Sequence, residues 1–236
     1  MYTFNSRIRY SECDSHARLT LAALMNYFQD SSTFQAETLG VGGLYMVENN
    51  LVWVLSSWQI VVNRYPVLCE EVEIGTLPYA FKGCFGYRNF FMKTVEGEML
   101  AQANSLWTLL NLKEQTMAHP PERMKEAYVL DERLPMEYAD RKIAVPGEGV
   151  RREPFLVRKH HLDTNNHVNN VQFVDMAMES LPADFAIWQL RAEYKMQAHL
   201  GDELIPYVVS SDDRCIISLQ SPEGKPYAVV EFTGKP

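Results

Sequence analysis

The stretch Leu162–Phe173, LDTNNHVNNVQF, decides how the fold is read. It gathers an acid (Asp163), an imidazole (His167) and the amides Asn165, Asn166, Asn169 and Asn170, then runs into apolar sequence. Val171, Phe173, Val174, Ala177, Met178 and Leu181 recur at helical spacing, which predicts a helix starting near Asn169 or Asn170, either of them a good cap. The polar cluster then sits in the turn entering a half-buried helix. Backbone N–H groups and the positive end of the helix dipole make that a suitable place for an oxygen gaining negative charge. Asp, Asn and Thr are also the ordinary residues of turns and caps, so the same stretch reads as an elaborate N-cap, and the rest of the chain must decide.

Working outward, an earlier stretch matches it. Ile8-Arg9 lines up with Val157-Arg158, Cys13-Asp14-Ser15 with Leu162-Asp163-Thr164, and Leu24 and Asp30 with Phe173 and Glu179, all at one constant offset. After a deletion, Leu68–Val72 lines up with Leu200–Leu204, and Gly97 and Ala101 with Gly224 and Ala228. Their shared order points to a duplication. Asp14 matches Asp163, but His16 stands where Asn165 does and Arg18 where His167 does. Chemistry in the turn is therefore expected in the second copy.

Between the two turns the pattern is that of a helix followed by strands. Residues 4–10 alternate as a strand; Leu21, Leu24, Met25 and Phe28 predict a helix capped by Thr20 and ended near Leu39 by Gly40, Gly42 and Gly43. Val-, Ile- and aromatic-rich runs at 51–66, 70–80, 84–94 and 98–112 then read as antiparallel strands. The class is α+β. Residues 113–150, broken by Pro120-Pro121, Pro135, Pro146 and Gly147-Glu148-Gly149, read as a linker with a short helix near 121–128. The expected organisation is a first unit at 1–112, that linker, and a second unit at 151–236.

Composition narrows the function. The chain has 236 residues, 47% of them hydrophobic, and no run of about twenty apolar residues that could span a membrane. MYTFNSRIRY at the start lacks the apolar core of a signal peptide. Cys13, Cys69, Cys84 and Cys215 are scattered, which favours reduced thiols in a cytoplasmic protein over a disulfide framework or a zinc site. The formal charge of −8 argues against nucleic acid as a partner and requires a local basic patch for any acidic one. No metal and no cofactor is expected, and His119, His160, His161 and His199 read as structural or surface residues.

Together these residues resemble the acyl-acyl carrier protein (acyl-ACP) thioesterases of plants and bacteria. The second-unit signature of that family, close to D-x-N-x-H-V-N-N with a following aromatic and a helix ending in E-x-x-P, stands here as Asp163-Thr-Asn165-Asn-His167-Val-Asn169-Asn170, Phe173 and Glu179-Ser-Leu-Pro182. RYSECDSHARLTLAALMNYFQD, WVLSSWQIVVNRYP, LAQANSLW and GDEL are similar to other parts of it, so the likeness covers nearly the whole chain. The resemblance implies two tandem hot-dog units, each a long helix wrapped by an antiparallel sheet, and hydrolysis of fatty acyl-ACP in fatty acid biosynthesis. One departure stands out. The family usually has a Glu, often followed by Cys, a few residues after an E-Y pair; here Glu193-Tyr194-Lys195-Met196 leads to Gln197-Ala198.

The site expected from this combination is Asp163 as general base or nucleophile, His167 as proton shuttle, Asn165 holding the carbonyl oxygen or the water, and Gln197 limited to positioning, since an amide transfers no proton. Leu24, Met25, Phe28, Trp53, Leu55 and Trp58 are candidates for the acyl-chain lining, and equally what any core contains. Arg151, Arg152, Arg158 and Lys159 are the candidates for docking an acidic carrier protein. An acyl-CoA thioesterase, or an acyl-thioester-binding protein without turnover, are the competing expectations; the chain is a monomer or a homodimer.

Overall fold

The computed structural model describes Met1–Lys235. It divides into two compact units, one of 1–56 and 62–138, the other of 57–61 and 139–236.

The first unit opens with strand β1 (Tyr2–Arg7) and a short 3₁₀ turn at Tyr10–Glu12. Helix α1 (Leu21–Thr38) starts where the spacing places it, with the Thr20 hydroxyl accepting the N–H of Ala23 at 3.2 Å. Leu21, Leu24, Met25 and Phe28 form its buried face, packed over β1 and β3. Helix α2 (Gly43–Glu48) follows, then strands β2 (Leu51–Val62), β3 (Glu71–Lys82), β4 (Phe85–Thr94) and β5 (Met99–Asn111), the short β6 (Thr116–Met117) and helix α3 (Glu122–Ala127). The sheet runs β1-β3-β4-β5-β2, with β1–β3, β3–β4 and β4–β5 antiparallel. Gly75 faces Phe91 across the β3–β4 pair, and a Cβ there would lie 2.2 Å from the Phe91 ring, so the aromatic needs the missing side chain.

Much of the stretch expected to be linker packs on this unit. Met124 and Tyr128 are buried with Val41, Tyr45, Leu51 and Leu109. Asn89 Oδ1 accepts both the Leu134 N–H and the Tyr138 hydroxyl, and the N-terminal ammonium lies 2.6 Å from Asp131. From Ala139 the chain joins the second unit instead. Ile143 is buried against Ile216 and Val229, and its N–H donates to Glu193.

The second unit holds the short strands β7 (Val150–Arg151) and β8 (Phe155–Leu156), helix α4 (Asn170–Met178), and strands β9 (Ile187–Tyr194), β10 (Glu203–Ser210), β11 (Arg214–Gln220) and β12 (Pro226–Gly234). Ser57–Val61 of β2 pairs with β9, and the antiparallel order continues β9-β12-β11-β10-β7. Helix α4 packs on β11 and β12 through Val171, Phe173, Val174 and Ala177. It ends at Met178, earlier than the periodicity to Leu181 implies; Leu181 closes a turn onto Met178 before Pro182.

Candidate active site

The site is built on the turn that delivers the chain into α4. Asp163 bends its carboxylate back over that turn: Oδ1 accepts the N–H groups of Asn165 at 2.8 Å and His167 at 3.2 Å. The backbone closes alongside, with Asp163 N–H to His167 carbonyl at 2.8 Å and Asn166 N–H to Asp163 carbonyl at 3.1 Å. Asn166 takes a φ of 59°, a left-handed conformation that Asn tolerates better than most residues. Asn169 caps the helix, Oδ1 to Val171 N–H at 2.9 Å.

The first copy repeats this geometry. Asp14 Oδ1 accepts from His16 at 2.8 Å and Arg18 at 2.9 Å, Asp14 N–H meets the Arg18 carbonyl at 2.8 Å, and Ala17 has a φ of 57°. The Arg18 N–H holds the Asp14 carboxyl below the usual range. One carboxylate oxygen is thus structural in both units. In both, the other oxygen, Oδ2 of Asp14 and of Asp163, is left without a hydrogen-bond partner among the described residues. Neither ring nitrogen of His167 bonds Asp163 among those residues. The ring instead lies edge to face with His199, centroids 4.9 Å apart at 78°.

Gln197 is brought toward the same place by a backbone clamp: Val168 N–H donates to the carbonyl of buried Ala198 at 2.9 Å, which sets exposed Gln197 and His199 beside the end of the turn. The preceding Glu193-Tyr194 pair has other work. Glu193 is buried, accepts the Ile143 N–H at 3.1 Å and pairs with Lys195 at 2.9 Å. The Tyr194 hydroxyl donates to the Asn170 carbonyl at 3.0 Å under the helix start, and burial pushes that phenol up. Asp163, Asn165 and His167 therefore share one turn, the Ala198 clamp ties the segment carrying Gln197 to its end, and the structure adds His199 through its ring contact with His167. The alignment of Leu68–Val72 with Leu200–Leu204, carried one residue back, pairs His199 with Val67 and marks the position as altered between the copies.

The remaining expected residues lie elsewhere. Leu24, Met25, Phe28 and Leu55 are buried in the first unit, Phe28 against Phe90 with centroids 5.5 Å apart. Trp53 stacks on Phe81 at 6.1 Å, and the buried Trp58 falls in the 57–61 segment of the second unit. Arg151, Arg152, Arg158 and Lys159 are exposed, and none forms an ion pair among the described residues. Arg152 borders a groove of about 520 Å³ with Phe155, Glu179, Leu181 and Pro206, which contains none of the turn residues.

Solved structures share this architecture from end to end. The acyl-ACP thioesterase of Bacteroides thetaiotaomicron superposes with a TM-score of 0.89 at 22% identity, covering 99% of this chain and 97% of that one. The 12:0-ACP thioesterase of Umbellularia californica gives 0.86 at 21%, covering 100% and 97%. The fold is that of a tandem hot-dog protein. Family models carry the assignment further: the acyl-ACP thioesterase N-terminal domain matches residues 1–128 and the C-terminal domain matches 147–214. The chain belongs to the acyl-ACP thioesterase family. Among curated relatives, the chloroplastic acyl-acyl carrier protein hydrolase FATB1 of Cuphea viscosissima is 27% identical over 224 residues, 87% of this chain and 53% of that protein. The chloroplastic dodecanoyl-acyl carrier protein hydrolase of Cinnamomum camphora is 28% identical over 198 residues, 74% of this chain and 49% of that protein. The chain spans about half the length of these relatives.

Proposed function

We propose that this chain hydrolyses fatty acyl thioesters of acyl carrier protein, releasing the fatty acid and the carrier's thiol. The observation that supports this most is the turn at the mouth of α4. Two amides fix one oxygen of Asp163, so the other is held in a defined direction beside Asn165 and His167. In this reading Asp163 Oδ2 takes a proton from the attacking water, His167 carries that proton onward, and Asn165 steadies the carbonyl oxygen as charge gathers there. Gln197 positions water through its amide.

Leu24, Met25, Phe28, Trp53, Leu55 and Trp58 are assigned to gripping the acyl chain. The unpaired cations Arg151, Arg152, Arg158 and Lys159 are assigned to the acidic carrier. Free thiols at Cys13, Cys69, Cys84 and Cys215 fit a reducing compartment, the cytoplasm. No helix among the described residues is long and apolar enough to cross a membrane.

The amide at Gln197 favours one other reading, tight binding of an acyl thioester without turnover. A panel of acyl carrier substrates and the matching coenzyme A esters tests both. Turnover with higher kcat/KM on the carrier supports the proposal, preference for coenzyme A moves the substrate to that handle, and binding without thiol release rejects hydrolysis.

A further inference from the structure

The turn holds a second imidazole with a carboxylate behind it. His199 meets His167 ring to ring at 4.9 Å, its backbone N–H donates to Asp202 Oδ2 at 2.8 Å, and its Nδ1 lies 3.8 Å from the same oxygen. The first unit has the same loop. There the Val67 N–H donates to Glu70 Oε2 at 2.9 Å, and the Glu70 N–H to the Val67 carbonyl at 3.0 Å, as Asp202 N–H does to the His199 carbonyl at 3.1 Å. Cys69 and Gly201, at matching positions, both have positive φ, 67° and 90°. A carboxylate at the residue directly before the strand is therefore how this loop is built in either copy. What differs is the side chain it holds. Val67 bridges Arg18 in the first unit, while His199 faces His167 in the second, so both members of the pair become imidazoles in the same copy.

We infer that His199, backed by Asp202, is a catalytic acid of this site and supplies the proton-transferring group that the amide of Gln197 cannot. The inference rests on the hydrolytic reading above. Water adds its oxygen to the thioester carbonyl carbon and gives one proton to Asp163 and thence to His167. The carbon–sulfur bond then breaks with its electron pair on sulfur, and protonated His199 gives that sulfur its proton. The proton on His167 returns to exposed His199 by way of solvent water and restores both groups. One water is thereby divided between the fatty acid and the thiol. The His199 side chain is 59% exposed, so it stands where a departing thiol can reach it.

The leaving group tests this. Wild type, His199→Ala and His199→Gln are assayed on two thioesters of one fatty acid, an S-pantetheine ester whose alkyl thiolate needs a proton and an S-phenyl ester whose thiolate departs unaided. Thermal melting checks that each variant is folded. The expected result is a fall in kcat of about 100-fold on the pantetheine ester, with KM little changed, and less than about 3-fold on the phenyl ester. Adding Gln197→Glu to His199→Ala is expected to restore at least a tenth of the lost rate, because a carboxyl returns beside His167. Equal losses on both esters assign His199 to structure and overturn the inference, as does near-normal turnover of both. In either case hydrolysis by the wild type, lost in His167→Ala, leaves the hydrolytic reading standing; a wild type inactive on both esters removes both.

Discussion

The proposed function gives Asp163 two tasks that substitution can separate, because the one seen in the structure, holding the turn, is shared with Asp14. In Asp163→Asn the amide oxygen still accepts from the Asn165 and His167 N–H groups, at the 2.8 and 3.2 Å now seen, and the turn survives. The loss is the difference between a charged and a neutral acceptor, partly screened by solvent: about 1 kcal/mol. For a chain of this length that is roughly 2–4 °C in Tm. Asp14→Asn makes the same exchange at 2.8 and 2.9 Å and should cost a similar amount. The two variants should diverge only in activity. Asp163→Asn removes the group proposed to take the proton from water and should lower kcat/KM at least about 100-fold, while Asp14→Asn stays within twofold. The assay is thiol release from acyl carrier substrate, paired with thermal melts. Asp163→Asn within tenfold of wild type would refute the role given to its carboxylate; equal activity losses in both variants would refute the division of labour between the turns. The melts carry a pH signature as well. The Arg18 N–H depresses the Asp14 carboxyl, so its stabilisation is present above the unfolded carboxylate range and is lost as pH falls through the depressed value. Asp14→Asn should flatten that acid limb.

Reversing Arg151 and Arg152 to Glu should raise KM several-fold for carrier-bound substrate and leave a pantetheine ester unaffected; equal effects on both reject carrier docking. In α4, burial and then Glu179 push the Asp175 carboxyl up to about 6. A raised carboxyl costs stability once ionised, so Asp175→Asn should stabilise above pH 6, by about 1 kcal/mol after allowing for its partial exposure, with the gain vanishing below about pH 4 in melts across that range. Glu231 is 3% exposed and takes Arg191 at 2.8 Å and Arg214 Nε at 2.7 Å. Glu231→Ala removes the shared anion, but Arg191 keeps the Asp140 and Lys142 carbonyls and Arg214 is 45% exposed, so the loss should be about 1–3 kcal/mol by denaturant titration, whereas kcat per folded molecule should hold.

How much of this was legible depends on the range of the interactions involved. Thr20 and Asn169 cap the helices that follow them, and such contacts are written in adjacent residues. The strand runs 51–66 to 98–112 contain β2 to β5 because each alternates or is densely β-branched and aromatic. Helix α2 escaped notice for the opposite reason. Gly42 and Gly43 read as helix breakers, yet the Gly43 N–H is capped by Glu37 from the previous helix, and the Glu37 carboxylate fills the space a Cβ at Gly42 would need. The attachment of 113–138 to the first unit turns on Met124 and Tyr128 meeting Val41 and Leu109, contacts with no local signature. Within the proposed site, Asp163, Asn165 and His167 lie within five residues, and the resemblance to D-x-N-x-H-V-N-N, not the spacing alone, singles them out. His199 is not singled out, because its partner His167 lies 32 residues earlier and only folding brings the rings together.

The duplication makes one part of the protein a reference for another. The two turns agree in their 3₁₀ lead-in, their bridge (Cys13 with Leu19, Leu162 with Val168), their left-handed residue and both bonds to the carboxylate. Whatever they share serves the fold, since the first copy folds with it. A functional difference must therefore lie in side chains at corresponding positions: His16 against Asn165, Arg18 against His167, Val67 against His199. Two of these changes place an imidazole in the second unit where the first has a permanent cation or an alkyl group, and the third supplies an amide. A residue such as Asp163 can look essential by every structural measure and still owe half of that to the turn. The positions that differ owe nothing to it, and they are where the chemistry should be sought.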